Sequence, residues 1–238
     1  RSFRSTARIP SSTASTAKGH KPVRVTMTAM MTTVANDEDA IGYISLGSLN
    51  DTVKAVKIDG VEASIENVAN GTYTLNRSFN LAANGELNEA AQDFMNYILS
   101  AEGQTIIEEA GYIMIDDTAA AFETNGAEGK VVVAGSSSVT PVMEKLKEAY
   151  AEINTNVAIE INTSDSSTGV SSALDGTCDL GMASRALKDS EKEAGATEVT
   201  IAKDGIAVII NNNNPIDDLT KEIVKNIYVG NILTWSEI

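Results

Sequence analysis

Between residues 130 and 183 the chain alternates short β-branched runs with stretches whose apolar positions recur every three or four residues. The runs at 130–134, 157–161 and 179–183 predict strands, and the stretches from 139 to 153 and from Thr168 predict helices. In the longer helix Val139, Val142, Met143, Leu146, Ala149, Tyr150 and Ile153 form one face and Glu144, Lys145, Lys147 and Glu148 the other, so one side docks and the other stays wet. Such a β-α-β-α-β rhythm is the signature of a parallel sheet. Upstream, the pattern predicts a helix at 29–35, strands at 40–46, 53–58 and 73–75, and a helix at 87–100 that continues after a break into 104–110, with Gly111 as its C-cap. Downstream it predicts a buried strand at 206–210 and a last helix at 219–228. Residues 116–129 are acidic, Ala-rich and Gly-punctuated, as in a surface connection, and residues 1–27 show no period and read as irregular.

Composition narrows the class. With 238 residues, 42% hydrophobic and 21% charged, the chain can bury a core as an ordinary soluble α/β protein. Its formal net charge of −15 argues against nucleic acid and anionic membrane as partners, because both demand clustered Lys and Arg. A small anion is not excluded, since donors a few Å away decide its binding while distant charge is screened beyond about 10 Å. Cys178 is the single cysteine, which rules out an intrachain disulfide or a thiolate cluster, and it reads as a small core residue. His20 is the single histidine, so neither a metal pair nor a nucleophile and base is expected, and no cofactor or metal is implied. The absence of an 18-residue apolar run predicts no membrane span, and the absence of a signal peptide or lipobox fits a cytoplasmic protein or a mature chain without its leader.

Two turns of nearly the same chemistry carry the candidate site. Gly135-Ser136-Ser137-Ser138-Val139-Thr140-Pro141 and Ser164-Asp165-Ser166-Ser167-Thr168-Gly169 each follow a β-branched run and open a helix. Hydroxyls and unpaired N–H groups at the positive end of a helix dipole make an anion cradle. Pro141 suits a first helical turn, where the N–H it lacks would have no partner. Helix capping alone would also explain either turn. The first turn lacks the Lys and second Gly of a nucleotide P-loop, Ser-x-x-Lys is absent, and no His or Cys stands ready to activate a hydroxyl, so no enzyme is expected.

In order, these motifs resemble the phosphate-binding proteins of bacterial phosphate ABC importers. The resemblance rests on residues 132–141, on 164–169, and on Asp179-Leu180-Gly181-Met182-Ala183-Ser184-Arg185. It rests also on Asp204-Gly205-Ile206-Ala207-Val208-Ile209, on Ile227-Tyr228-Val229-Gly230 with Trp235, and on Ala40-Ile41-Gly42-Tyr43-Ile44-Ser45. It implies an α/β, two-lobed, periplasmic-binding-protein-like (type II) fold, each lobe a mixed, mainly parallel sheet flanked by helices. Because the segment equivalent to 130–238 ordinarily precedes the one resembling 28–113, the chain is expected to be circularly permuted, with the 116–129 connection joining the usual termini. Lobe one would then be contiguous over 74–207, and lobe two would comprise 1–73 and 208–238.

The resemblance implies an extracytoplasmic, monomeric binder, soluble in the periplasm or held by a lipid anchor, that captures inorganic phosphate between its lobes and passes it to a membrane-embedded ABC permease. Its implied phosphate ligands are Ser137, Ser138, Val139, Thr140, Ser166, Ser167 and Thr168, with Arg185 standing where relatives often carry an Asp. Asp165 and Asp204 are the candidate substitutes for that carboxylate. The family's second-lobe string Arg-x-x-x-Ser-Gly-Thr has only the approximation Arg1-Ser2-Phe3-Arg4-Ser5-Thr6, which lacks the glycine. Binding of another oxyanion (sulfate, molybdate), or a remnant that binds nothing, are the alternatives.

Overall fold

A computed structural model describes residues 27–238; His20 and the Arg1–Thr6 string lie outside them. Helix α1 (Met27–Asn36) leads into strand β1 (Ile41–Ser45), the short strands β2 (Lys54–Ala55) and β3 (Lys57–Ile58), and α2 (Ile65–Ala69). Strand β4 (Asn76–Asn84) is followed by α3 (Glu89–Leu99) and α4 (Ala101–Glu109). Then come β5 (Gly129–Ser136), α5 (Thr140–Ile153), β6 (Val157–Ser164), α6 (Ser166–Leu174), β7 (Leu180–Ala183) and α7 (Asp189–Glu193). The long strand β8 (Ala196–Ile210), β9 (Asp218–Leu219) and α8 (Lys221–Tyr228) complete the order. The described residues divide into two compact units, 76–204 and 27–75 with 205–238.

In the 76–204 unit the strands run in the order β8, β4, β7, β5, β6. β5 pairs in parallel with both β6 and β7, and β4 lies antiparallel on β7. The two-residue period of a strand sends Val131 and Val133 to one face and Val132 and Ala134 to the other. On the first face, Val131, Val133, Leu180 and Met182 meet Phe94 and Ile98 of α3 and Val142, Leu146 and Tyr150 of α5, all buried. Each of these side chains contributes about 1.5–3 kcal/mol of burial. On the second face α6 packs through the small residues Val170 and Ala173 against Ala82, Ala134, Cys178 and Ala183. Burial pushes the Cys178 thiol up to about 11, as for an inert core residue.

The connection ahead of β5 is exposed along much of its length yet firmly pinned. Asp93, fully buried on α3, accepts from the Asn125 N–H at 2.8 Å, Thr124 Oγ1 at 2.9 Å and Tyr150 Oη at 2.7 Å. Phe122 lies edge-on to Tyr97 with ring centroids 5.2 Å apart. Burial alone would raise the Asp93 carboxyl, but the hydrogen bonds from Asn125, Tyr150, Thr124 and Asn154 outweigh it and hold the group below its ordinary range.

In the other unit β1 lies antiparallel on the end of β8, from Ile41 opposite Ile210 to Ser45 opposite Ile206. β2 is antiparallel to β8 as well, and β3 pairs in parallel with β9. A mainly parallel sheet was expected for both halves; it describes 76–204, whereas antiparallel pairs dominate here because β8 serves as the partner of both β1 and β2. Trp235 packs through its Nε1, which donates to the Asp39 carbonyl at 3.0 Å, and Tyr228 meets Tyr43 edge-on at 5.6 Å. Among the described residues no helix is long and apolar enough to cross a membrane.

The short helices α2 and α7 and strand β9 carry no counterpart in the sequence pattern, and three predicted strands differ from it. A strand was expected at 73–75, but β4 begins at Asn76 and buries Phe79 through Ala83 without alternation, as an inner strand covered on both faces does. β8 begins ten residues ahead of the predicted 206–210 strand, because its polar residues find tertiary partners: Glu198 accepts from Asn80, and buried Asp204 pairs with Arg77 at 2.8 Å. The predicted 53–58 strand is two short pieces, β2 and β3, that pair with different partners.

Asp93→Ala is expected to lower the unfolding free energy by about 3 kcal/mol, because it strands several buried donors; urea denaturation measures it. Since the folded carboxyl sits below the unfolded value of 3.8, its contribution is full above that pH and is lost as pH falls through the folded value. The difference between wild type and Asp93→Asn should therefore shrink in that acid window.

Candidate oxyanion cradle

The parallel registers set the stage. Ser136 stands opposite Ser164 and Gly135 opposite Met182, so β5, β6 and β7 finish side by side at their C-terminal ends. That edge is where ligands meet an open parallel sheet. Both serine turns begin there.

Glycines bring the second turn down onto the strands. A Cβ on Gly169 would lie 2.7 Å from the Gly135 Cα and 2.7 Å from the Ala134 oxygen; one on Gly181 would lie 2.4 Å from the Gly169 oxygen. Gly135 adopts φ +131° and would press a Cβ to 2.4 Å from the Met182 oxygen. Real side chains do not tolerate such distances to backbone. Only three glycines let the first turn of α6 rest on β5 and β7.

The hydroxyls then meet. Ser136 Oγ donates to Ser184 Oγ at 3.1 Å, and Ser184 Oγ lies 3.4 Å from Ser166 Oγ. The Ser184 N–H donates to Ser166 Oγ at 3.1 Å, and the Ser138 N–H donates to Ser136 Oγ at 3.3 Å. The Ser137 N–H reaches the Ser164 carbonyl at 3.1 Å, tying the two turns together.

The two helix ends differ. α6 is capped by Asp165, whose carboxylate accepts the Thr168 N–H at 3.0 Å and the Thr168 hydroxyl at 2.9 Å. α5 starts after Val139 with no side-chain cap and Pro in its first turn. The sequence-predicted residues consequently separate by engagement. Ser137, Ser138, Ser166 and Ser167 stand at the paired turns, but buried Val139 donates its N–H to the Ser136 carbonyl at 3.0 Å. Thr140 Oγ1 lies 3.2 Å from the Ser136 carbonyl and 3.1 Å from Thr163 Oγ1. Thr168 is bound into the Asp165 cap through both its N–H and its hydroxyl, and Asp204 is held by Arg77.

Arg185 is likewise engaged. Its two terminal nitrogens grip Glu191 at 2.7 and 2.8 Å, and they also donate to Ser167 Oγ at 3.2 Å and the Ala186 carbonyl at 2.9 Å. Those guanidinium bonds pull the Glu191 carboxyl down to about 2, with the Lys188 N–H assisting against burial. Ser136 and Ser184 were absent from the predicted ligand set. The signal for Ser184 was its place at the end of the third strand, one residue before the more conspicuous Arg185.

Among the described residues no group of acidic, His and Cys side chains could hold a metal ion. A type II periplasmic-binding-protein fold with a hydroxyl-lined cradle at its strand ends defines a bacterial solute-binding protein. Residues 14–113 match the family described as bacterial extracellular solute-binding protein, and residues 120–237 match the PBP superfamily domain. The chain is 50% identical over 210 residues to phosphate-binding protein PstS 2 of Streptococcus agalactiae serotype V, covering 88% of this chain and 71% of that protein. It is 38% identical over 209 residues to phosphate-binding protein PstS 2 of Streptococcus pneumoniae serotype 4, covering 88% and 72%. The crystal structure of a phosphate ABC transporter phosphate-binding protein from Streptococcus pneumoniae TIGR4 superposes with a TM-score of 0.79 at 37% identity, over 90% of this chain and 83% of that one. This chain belongs to the PstS family of phosphate-binding proteins.

Gly169→Ala keeps a helical backbone but forces α6 off the strands, at an expected cost of about 1–3 kcal/mol; thermal unfolding together with anion titration should show stability and binding falling together. The Arg185–Glu191 pair should stabilise fully above pH 4.5 and lose its effect as pH falls from there toward about 2, the range over which folded Glu191 takes up its proton. Acid titration of Glu191→Gln beside wild type checks this, the two curves converging in that window.

Proposed function

We propose that this protein captures inorganic phosphate outside the cytoplasmic membrane and delivers it to a membrane-embedded ABC importer. The observation that carries the reading is the joining of the uncapped start of α5 to the Ser136, Ser184 and Ser166 hydroxyls, in a chain half identical to a PstS protein.

Recognition in this reading involves no bond making, and the protein acts as a carrier rather than an enzyme. A directed chain of donors runs from the Ser138 N–H through Ser136 to Ser184. When Ser184 donates onward to Ser166, the Ser166 hydrogen is left over and faces a ligand; bonds aligned in this sense polarise one another. Ser137, Ser138 and Ser167 supply further donors, and the α5 dipole adds its positive end. Charge-assisted hydrogen bonds of about 1.5–3 kcal/mol each, four or five in number, give micromolar affinity or better after ordering and desolvation.

The units 76–204 and 27–75 with 205–238 would serve as lobe one and lobe two. The two family matches meet between residues 113 and 120, in the connection that leads to β5, and in this reading that connection joins two circularly permuted halves. Periplasmic or surface placement, including a lipid anchor, follows from the same family reading.

Isothermal titration of protein stripped by unfolding and refolding tests the proposal. Phosphate should bind at micromolar concentration or tighter, and Ser138→Ala and Ser166→Ala should each weaken it about tenfold. Absence of heat and of thermal stabilisation at millimolar phosphate would sink it, while preference for sulfate or molybdate in competition would transfer the site to another oxyanion.

A further inference from the structure

Arg185 carries a positive charge beside the cradle, and its immediate partner is a carboxylate. Glu191 neutralises it at 2.7 and 2.8 Å, with the Glu191 side chain only 14% exposed and the Arg185 side chain 30%. The guanidinium therefore brings little net charge to an anion. What it does bring is direction. Its Nη2 hydrogens go to Glu191 Oε1 and to Ser167 Oγ, at 2.7 and 3.2 Å. An oxygen that accepts from Arg185 keeps its own hydrogen for another acceptor.

Glu191 is in turn held where it must be. Its Oε2 accepts the Lys188 N–H at 2.8 Å, fixing the start of α7 to the loop that carries Arg185. Buried Asn80 on β4 donates to the Arg185 carbonyl at 2.8 Å and to Glu198 at 2.9 Å, and Glu198 accepts the Leu187 N–H at 2.7 Å and pairs with Lys192. The loop from Ser184 to Lys188 is thus tied to β4, β8 and α7 at once.

Resting on the phosphate reading above, we propose that Glu191 is a positioning residue of the cradle: it locks the Arg185 fork so that Arg185 donates to Ser167, committing the Ser167 hydroxyl to donate to the bound anion. Glu191 itself touches no ligand. With Ser184 donating to Ser166, two bond chains then end in hydroxyls of consecutive residues, Ser166 through Ser184 and Ser167 through Arg185. Lys cannot replace Arg185 in this role, because a single ammonium lacks the planar fork that spans carboxylate and hydroxyl together.

A double-substitution cycle on the full chain, read by titration with inorganic phosphate, tests the assignment. Glu191→Gln keeps the side chain's shape, and with folding checked by thermal unfolding it should weaken phosphate about three- to tenfold in the wild-type background but less than about twofold in Ser167→Ala. Arg185→Lys should weaken binding like Glu191→Gln although it retains the charge. The sign is decisive: if Glu191 only opposes the anion by its charge, Glu191→Gln will tighten binding, and the proposal falls. It falls equally if the losses from Glu191→Gln and Ser167→Ala simply add, or if Arg185→Lys binds as wild type does. Wild-type protein that gives no phosphate heat overturns the functional reading and this proposal together, whereas normal wild-type binding with an additive cycle overturns this proposal alone.

Discussion

The contact of one helix with two strands, backbone against backbone, is the constraint on which the rest of this site depends. Gly135, Gly169 and Gly181 meet at distances no side chain would permit, and the first turn of α6 settles onto β5 and β7 as a consequence. That descent costs nothing in apolar burial, because the same face of α6 is lined by Val170 and Ala173 against equally small partners. The core of 76–204 is correspondingly asymmetric. Large side chains of α3 and α5 fill one face of the sheet, while small residues let α6 approach closely on the other.

Close approach matters because hydroxyls are short. A serine oxygen extends only a few Å from its backbone, so three of them share hydrogen bonds only when three different strand or helix ends are brought nearly into contact. Ser136, Ser166 and Ser184 come from β5, α6 and the residue after β7. The two helix starts then take different parts. Asp165 caps α6 and occupies Thr168, whereas α5 keeps its end uncapped. A chain with an overall charge of −15 can still attract an anion at such a place, since local N–H groups and dipoles act within a few Å and the distant carboxylates are screened.

A second buried group performs a comparable service for the chain path. Asp93 gathers the Asn125 N–H, Thr124 and Tyr150, so the irregular segment ahead of β5 is fastened to α3 and α5 rather than left loose. This fastening lies a few residues ahead of β5, which begins at Gly129. The first serine turn is then placed by the register of β5 on β6 and β7.

Much of this was legible along the chain. The alternation from 130 to 183 located β5, α5, β6 and β7 because periods of two and of three to four are local properties of half-buried elements. The two serine turns announced themselves by their position between strand and helix. β4 and the first part of β8 did not, since an inner strand buried on both faces has no alternation and polar residues such as Glu198 and Asp204 look solvent-facing until Asn80 and Arg77 are seen beside them. Ser184 was hidden for the same reason: its neighbours Ser136 and Ser166 lie 48 and 18 residues away. The order of residues by itself determined which segments are strands and helices in the β5–β7 region and which turns are rich in donors. Only the tertiary structure decided which donors still have a hydrogen to give, because that depends on partners brought from remote segments, as with Thr168 spent on Asp165 and Arg185 spent on Glu191.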